Sequence, residues 1–174
     1  GALGAATNNR LTKFTFKWDS LTASDAYSSL KATKDWYITT LDMNLAKSTL
    51  VVDSDAGRTI NIATFNHLAA HNQLSVDGDL TWTSNKLTMP LIHAALSRNS
   101  TLTLNTTTAD AINLQKNPSN TLAFNHNLTI TTNTKDLLLH NLSASGNGNL
   151  SINVGNTKDL TLKNIINAGG TLTL

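Results

Sequence analysis

A repeat of about 22 residues runs through the C-terminal half of the chain and constrains the fold more than any other feature. Asn127-Leu128-Thr129-Ile130 returns as Asn149-Leu150-Ser151-Ile152 and again as Thr171-Leu172-Thr173-Leu174, at the same interval each time. Asn133-Thr134-Lys135-Asp136-Leu137-Leu138-Leu139 returns as Asn156-Thr157-Lys158-Asp159-Leu160-Thr161-Leu162 at an interval longer by one, and Asn141-Leu142 returns as Asn164-Ile165. Each repeat thus carries three short apolar pieces. Upstream the phase continues more loosely. Leu128 is preceded by Leu102, Leu102 by Leu80, Leu80 by Ile60, Ile60 by Ile38 and Ile38 by Phe16, at steps of roughly 20 to 26 residues. This spacing predicts about eight turns.

Inside each piece, apolar and polar residues alternate, as in Leu150-Ser151-Ile152 and Leu160-Thr161-Leu162. Period two means a strand with one buried face. Pieces of three to five residues are too short for ordinary hairpins. They suit a coil in which each piece pairs in parallel with its copy one turn later, at ~4.8 Å. Leu, Ile and Val then stack inside as ladders, and Thr, Ser and Asn alternate outside. The expected fold is an all-β parallel β-helix forming a single unit over residues 1–174. Asn tolerates the left-handed backbone of corners. Asn141 and Asn164 recur at equivalent corners, where stacked amides are expected to bond between turns. A leucine-rich repeat has a similar period, but it places two residues between its last Leu and its Asn, where Leu162 and Asn164 are separated by one. The Gly-rich calcium roll motif is absent.

Composition excludes the alternatives. Of 174 residues, 27 are Thr, 22 Asn and 14 Ser, about a third of the chain, whereas 27 Leu recurring in phase argue against disorder. There is no Cys, so neither a disulfide scaffold nor a cysteine zinc site is available. No apolar run approaches the ~18 residues of a membrane span. The net charge is +2, from 13 basic and 11 acidic residues, and the basic residues are scattered singly. Nucleic-acid or membrane partners are therefore not expected. The N-terminal Gly1-Ala2-Leu3-Gly4 is not a signal peptide, which fits a fragment or processed chain.

The alternation lapses over residues 20–36, 63–72 and 90–98, where loops or single helical turns are expected to project from the rod. Loops on rigid scaffolds often carry function. The first holds Tyr27, Lys31, Lys34, Asp35 and Trp36, a mixture suited to recognition and the candidate binding residues of the chain. The competing reading has Trp36 and Tyr37 start the next strand while the loop caps the core.

Candidate chemistry is sparse. His67 and His71 are four apart, which on a helix puts both on one face, as in half of a zinc pair. No Glu lies between them, and neither His93, His126 nor His140 is identifiable as a third ligand, so no metal is expected. Asp53-Ser54-Asp55-Ala56-Gly57 has the opening of a calcium loop, but Gly57 occupies the third ligand position and a polar turn is expected. Asp77-Gly78-Asp79 reads likewise as a turn. Asp136 and Asp159, each preceded by Lys (Lys135, Lys158), lie one turn apart, as the paired acids of polysaccharide-cleaving enzymes do, and Asp136 with His140 is a second pairing. A motif repeated in tandem points to corner structure instead, and the chain contains no Glu. No catalytic residue and no cofactor are expected. Five sequons occur, at Asn99, Asn105, Asn127, Asn141 and Asn149.

The tandem Asn-Leu-Thr-Ile and Gly-Asn-Leu-Ser-Ile units, joined by Asn- and Gly-bearing turns, resemble secreted bacterial surface proteins. These are the filamentous-haemagglutinin-like exoproteins of two-partner secretion, including the high-molecular-weight adhesins, and autotransporter passengers. The resemblance covers Leu74 to Leu174 well and Gly1 to His71 poorly. It implies a right-handed coil, export to the bacterial surface, and non-enzymatic adhesion to a host glycan or protein receptor or to another copy. It gives the five sequons a use as sugar acceptors. A polysaccharide-processing enzyme and a toxin passenger are the alternatives. The sequence departs from the family in lacking a secretion-domain signature, of which Asn117-Pro118-Ser119-Asn120 is only a faint echo. The chain also stops inside the apolar strand Thr171–Leu174, so a longer stalk is expected.

Overall fold

The computed structural model describes residues 4, 9–15, 26–43, 48–54, 57–67, 73–88, 91–93, 98–108, 112–114, 122–123, 126–140, 143–145, 148–163, 166–168 and 170–174. Its long wall is one sheet of eight parallel strands: β1 (Leu11–Thr15), β3 (Trp36–Met43), β5 (Arg58–His67), β7 (Leu80–Ser84), β9 (Ser100–Thr106), β12 (Leu128–Thr132), β15 (Leu150–Val154) and β18 (Leu172–Thr173). The opposing wall changes along the chain. At first it is a single parallel sheet of β2 (Ala26–Ala32), β4 (Ser48–Ser54), β6 (Gln73–Asp77) and β8 (Leu91–His93). Beyond β9 it divides into two three-stranded sheets. One contains β10 (Ile112–Leu114), β13 (Leu137–His140) and β16 (Leu160–Lys163), the other β11 (Leu122–Ala123), β14 (Ser143–Ser145) and β17 (Ile166–Ala168).

The chain is thus an all-β parallel β-solenoid with turns of about 22 residues. The expectation of about eight turns is corrected to about four. The wall facing the long sheet is one sheet through β8 and two sheets beyond β9. The three apolar pieces per repeat read from the C-terminal half match β12, β13 and β14 and their copies, whereas the N-terminal turns spend the same length on two longer strands.

The apolar alternation becomes inward-facing columns. Leu128, Leu150 and Leu172 stack in register, as do Leu80, Leu102, Ile130 and Ile152. Trp36, Ile60, Trp82 and Leu104 form a third column, each no more than 2% exposed. Burying a side chain of this size contributes ~1.5–3 kcal/mol, so the columns are the main source of stability. Of the looser upstream phases, Leu80 opposite Leu102 holds, and three are corrected by two residues. Ile60 lies opposite Trp82 rather than Leu80, Ile38 opposite Ile62 rather than Ile60, and Leu102 opposite Ile130 rather than Leu128. Leu11, not Phe16, faces Ile38, and Phe16 lies outside the described residues. A slip of two residues keeps every side chain on its own face, so the hydrophobic pattern does not choose between the registers that differ by two. The neighbouring side chains do.

Part of the expected loops is sheet. Residues 26–32 of the segment 20–36 form β2, residues 63–67 continue β5 in extended rather than helical form, and residues 91–93 form β8. Residues 68–72, 90 and 94–97 lie outside the described residues.

Polar ladders hold the corners in phase. Gly78 sits at φ 83°, and a Cβ there would collide with the Ser54 carbonyl oxygen and press on the Arg98 guanidinium. Its backbone N–H donates to the Ser100 hydroxyl at 2.8 Å, and that hydroxyl donates to the Arg98 carbonyl. Gly78→Ala combines a left-handed backbone with an immovable backbone contact and is expected to cost at least ~2 kcal/mol in urea denaturation. An unchanged midpoint contradicts this corner.

Candidate functional site

The expected binding residues do not form one projecting group. Tyr27 and Lys31 belong to β2, where they lie opposite Thr49 and Asp53 of β4, and Lys31 is exposed. Lys34 is exposed in the turn between β2 and β3. Asp35 accepts a hydrogen bond from the Thr59 backbone N–H at 3.0 Å, so it ties one turn to the next. Trp36 begins β3 and is 2% exposed, within the core. That is the competing reading of Trp36, and it removes an indole from any surface site.

His67 is buried and neutral. Its ring lies 4.5 Å from that of Phe65, centroid to centroid, and neither ring nitrogen has a hydrogen-bond partner. Burial, and secondarily the charge of Lys86, lowers its pKa from 6.5 to about 4. Because β5 is extended through His67, the helical face expected to pair it with His71 is not formed up to that residue, and His71 lies outside the described residues. His93 and His140 are in strands, His126 in a bend. Among the described residues no group of three His, Asp or Glu is placed to hold a metal ion.

The acidic motifs are structural. Asp53 pairs with Arg98 at 2.7 Å, and the same Arg98 nitrogen donates to the Ser54 carbonyl at 2.6 Å. Asp55 lies outside the described residues. Asp79 accepts from the Thr101 N–H at 2.8 Å, and Asp136 accepts from the Asp159 N–H at 3.1 Å. Asp79 and Asp136 therefore satisfy the backbone of the following turn, as corner residues should.

Three of the sequon residues do the same. The Asn99 amide oxygen accepts from Asn127 N–H at 3.0 Å, Asn127 from Asn149 at 3.0 Å, and Asn149 from Thr171 at 2.9 Å. Asn141 and Asn164, where stacked amides are expected, lie outside the described residues; the ladder at this other corner runs from side-chain oxygen to backbone N–H. Asn127→Ala leaves the Asn149 N–H to solvent and is expected to lower stability by ~0.5–1 kcal/mol, read from the urea midpoint.

Sequence reasoning passed over the outer face of the long sheet. Because strands alternate, the residues between the inward columns form outward files. Thr59, Thr81, Thr103, Thr131 and Asn153 make one, in register from turn to turn. Thr101, Thr129, Ser151 and Thr173 make the next, and Asn61, Thr83 and Asn105 a third. All are at least partly exposed, and none is charged. Neighbouring turns repeat these groups at ~4.8 Å and alternate residues of one strand at ~6.7 Å.

The face is indented where the turn after β12 stands over it. A cleft of about 240 Å³ is lined by Thr81, Thr83, Thr103, Leu104, Asn105, Asn133 and Thr134. The Thr134 hydroxyl donates to the Asn105 amide oxygen at 3.0 Å and fixes that amide. Lys135 turns away from the cleft to donate to the Thr108 carbonyl, which keeps its charge off the lining. The signal was present as the recurrent Thr-x-Thr triplets, but only the register aligns them into files.

Compared with known proteins, the chain matches no family model, no curated protein and no solved structure. Among the described residues no helix is long and apolar enough to cross a membrane.

Proposed function

We propose that the chain is a non-enzymatic segment of a secreted bacterial surface adhesin, coiled with the right hand usual for parallel crossovers. Its binding surface is the outer face of the long sheet, and its partner a host-surface glycan or glycoprotein. The observation that carries this reading is the set of uncharged hydroxyl and amide files, repeated from turn to turn on a wall stiffened by buried Leu, Ile and Trp columns. A rigid lattice of alternating donors and acceptors suits a polyhydroxylated polymer, because little side-chain entropy is lost on binding. The engagement of the Asp136 carboxylate by the Asp159 backbone N–H favours binding over hydrolysis.

The test is binding of the intact chain to a glycan array and to cultured host cells. Saturable, self-competing binding that weakens at least tenfold in Thr129→Lys/Thr131→Lys is the expected result. Absence of saturable binding to either, or release of reducing ends from a polysaccharide, overturns the proposal. Deleting residues 20–34 is unsuitable because it removes all of β2, the first strand of the opposing wall. Tyr27→Ala, Lys31→Ala and Lys34→Ala separate the contribution of that edge.

A further inference from the structure

We propose that the cleft between β7, β9 and the turn at Asn133-Thr134 holds one neutral sugar ring, a specific subsite within the adhesive face. The inference rests on the adhesin reading for its biological setting, though its ligand chemistry is drawn from the cleft alone.

Size comes first. About 240 Å³ lies below the ~300 Å³ at which pockets for drug-sized ligands begin, so the cleft suits about one ring rather than an oligosaccharide. Charge comes second. Every lining side chain is neutral, and Lys135, next to Thr134 in sequence, is committed to the Thr108 carbonyl. A carboxylated or sulfated sugar finds no cation in this lining, and its desolvated charge is left unpaired. A cationic amine finds no carboxylate. The chemistry that is satisfied is a ring of hydroxyl groups, each both donor and acceptor, matched by the hydroxyls of Thr81, Thr83 and Thr103.

Preorganisation comes third. With its oxygen accepting from Thr134, Asn105 presents its Nδ2 as a directed donor, and Thr83 lies beside it in register on the adjacent turn. Thr methyl groups between the hydroxyls supply an apolar floor for the C–H face of a ring. Asn105 heads a sequon, and in this arrangement its amide contacts a sugar non-covalently.

The proposal is tested by titrating the intact ¹⁵N-labelled chain with methyl glycosides of glucose, galactose, mannose and N-acetylglucosamine, with sialic acid and glucosamine as charged controls. At least one neutral glycoside is expected to shift the amides of β7, β9 and residues 133–134 saturably, and both charged sugars to bind at least tenfold more weakly. Asn105→Ala is expected to weaken that neutral sugar at least tenfold. Thr83→Val, which keeps the side-chain shape, serves the same purpose if the first variant does not fold. Thr161→Val, at an exposed position of β16 in the opposing wall, is expected to leave binding unchanged. Shifts spread over the whole face, preference for a charged sugar, or no saturable shift at the cleft each overturns the subsite. Cell and array binding that persists in Asn105→Ala and Thr83→Val overturns it while the adhesin reading stands. Sugar binding at the cleft without any adhesion sinks the adhesin reading and leaves the subsite intact.

Discussion

Trp82→Ala is expected to destabilise the solenoid by ~4 kcal/mol, the largest effect of any single truncation considered for this chain. Trp82 is fully buried, the largest such side chain among the described residues. It is stacked in register between Ile60 below and Leu104 above, so its removal leaves a void bounded on two sides by side chains that are themselves fixed by their own turns. Phe65 packs obliquely against it at 5.3 Å between ring centroids. Its indole N–H donates to the Ser84 hydroxyl at 3.1 Å, and that hydroxyl donates to the Lys86 carbonyl at 2.6 Å, so truncation also breaks a short buried chain of hydrogen bonds. A parallel solenoid passes load only between neighbouring turns. The loss is therefore expected to appear first as amide-exchange deprotection of β5, β7 and β9, with β15 and β18 protected longer. Uniform deprotection of all turns contradicts this account, as does a urea midpoint within error of wild type.

Lowering the pH from 6.5 to 4 is expected to remove ~3 kcal/mol of stability through His67 alone. In the folded chain its pKa is lowered to about 4, chiefly by burial and further by Lys86. In the unfolded chain the imidazole takes up a proton near 6.5. Across the interval between these values the unfolded state therefore binds more protons, and stability rises with pH. The contribution is complete above 6.5, falls away as pH drops towards 4, and changes no further below it. His67→Phe is expected to flatten this part of the profile. It is also expected to raise stability at pH 7, because both ring nitrogens are buried without partners and their desolvation is uncompensated. Paired urea titrations of wild type and variant from pH 7.5 to 3.5 isolate the residue from the carboxylates common to both. Parallel profiles refute the assignment.

Such buried polar exceptions were not readable from the sequence. His67 and His71 are spaced as a helical pair, yet the backbone through His67 is extended, because residues 63–67 continue a strand whose alternation is interrupted at Ala63 and Thr64, both exposed. The outer polar face escapes the sequence for a related reason. Thr81, Thr103 and Thr131 are ordinary strand residues one at a time, and they become a continuous hydroxyl file only when β7, β9 and β12 lie in register. The cleft needs more still, a turn at Asn133-Thr134 standing over a neighbouring strand.

What the sequence determined by itself is the kind of fold and its regular part. Alternation with period two selects strands, and a return too short for separate hairpins makes them stack in parallel, so the column of Leu128, Leu150 and Leu172 follows directly. Asp136 and Asp159 as corner residues follow from their repetition. The tertiary structure alone decided register and cross-section where the repeat loosens. Ile60 meets Trp82 rather than Leu80, and the opposing wall passes from one sheet to two beyond β9. The physical reason is a degeneracy. A two-residue slip costs nothing in hydrophobic pattern, so the choice falls to side-chain volume and to polar groups such as Asp35, Asp79 and Arg98, whose partners lie a full turn or more away along the chain.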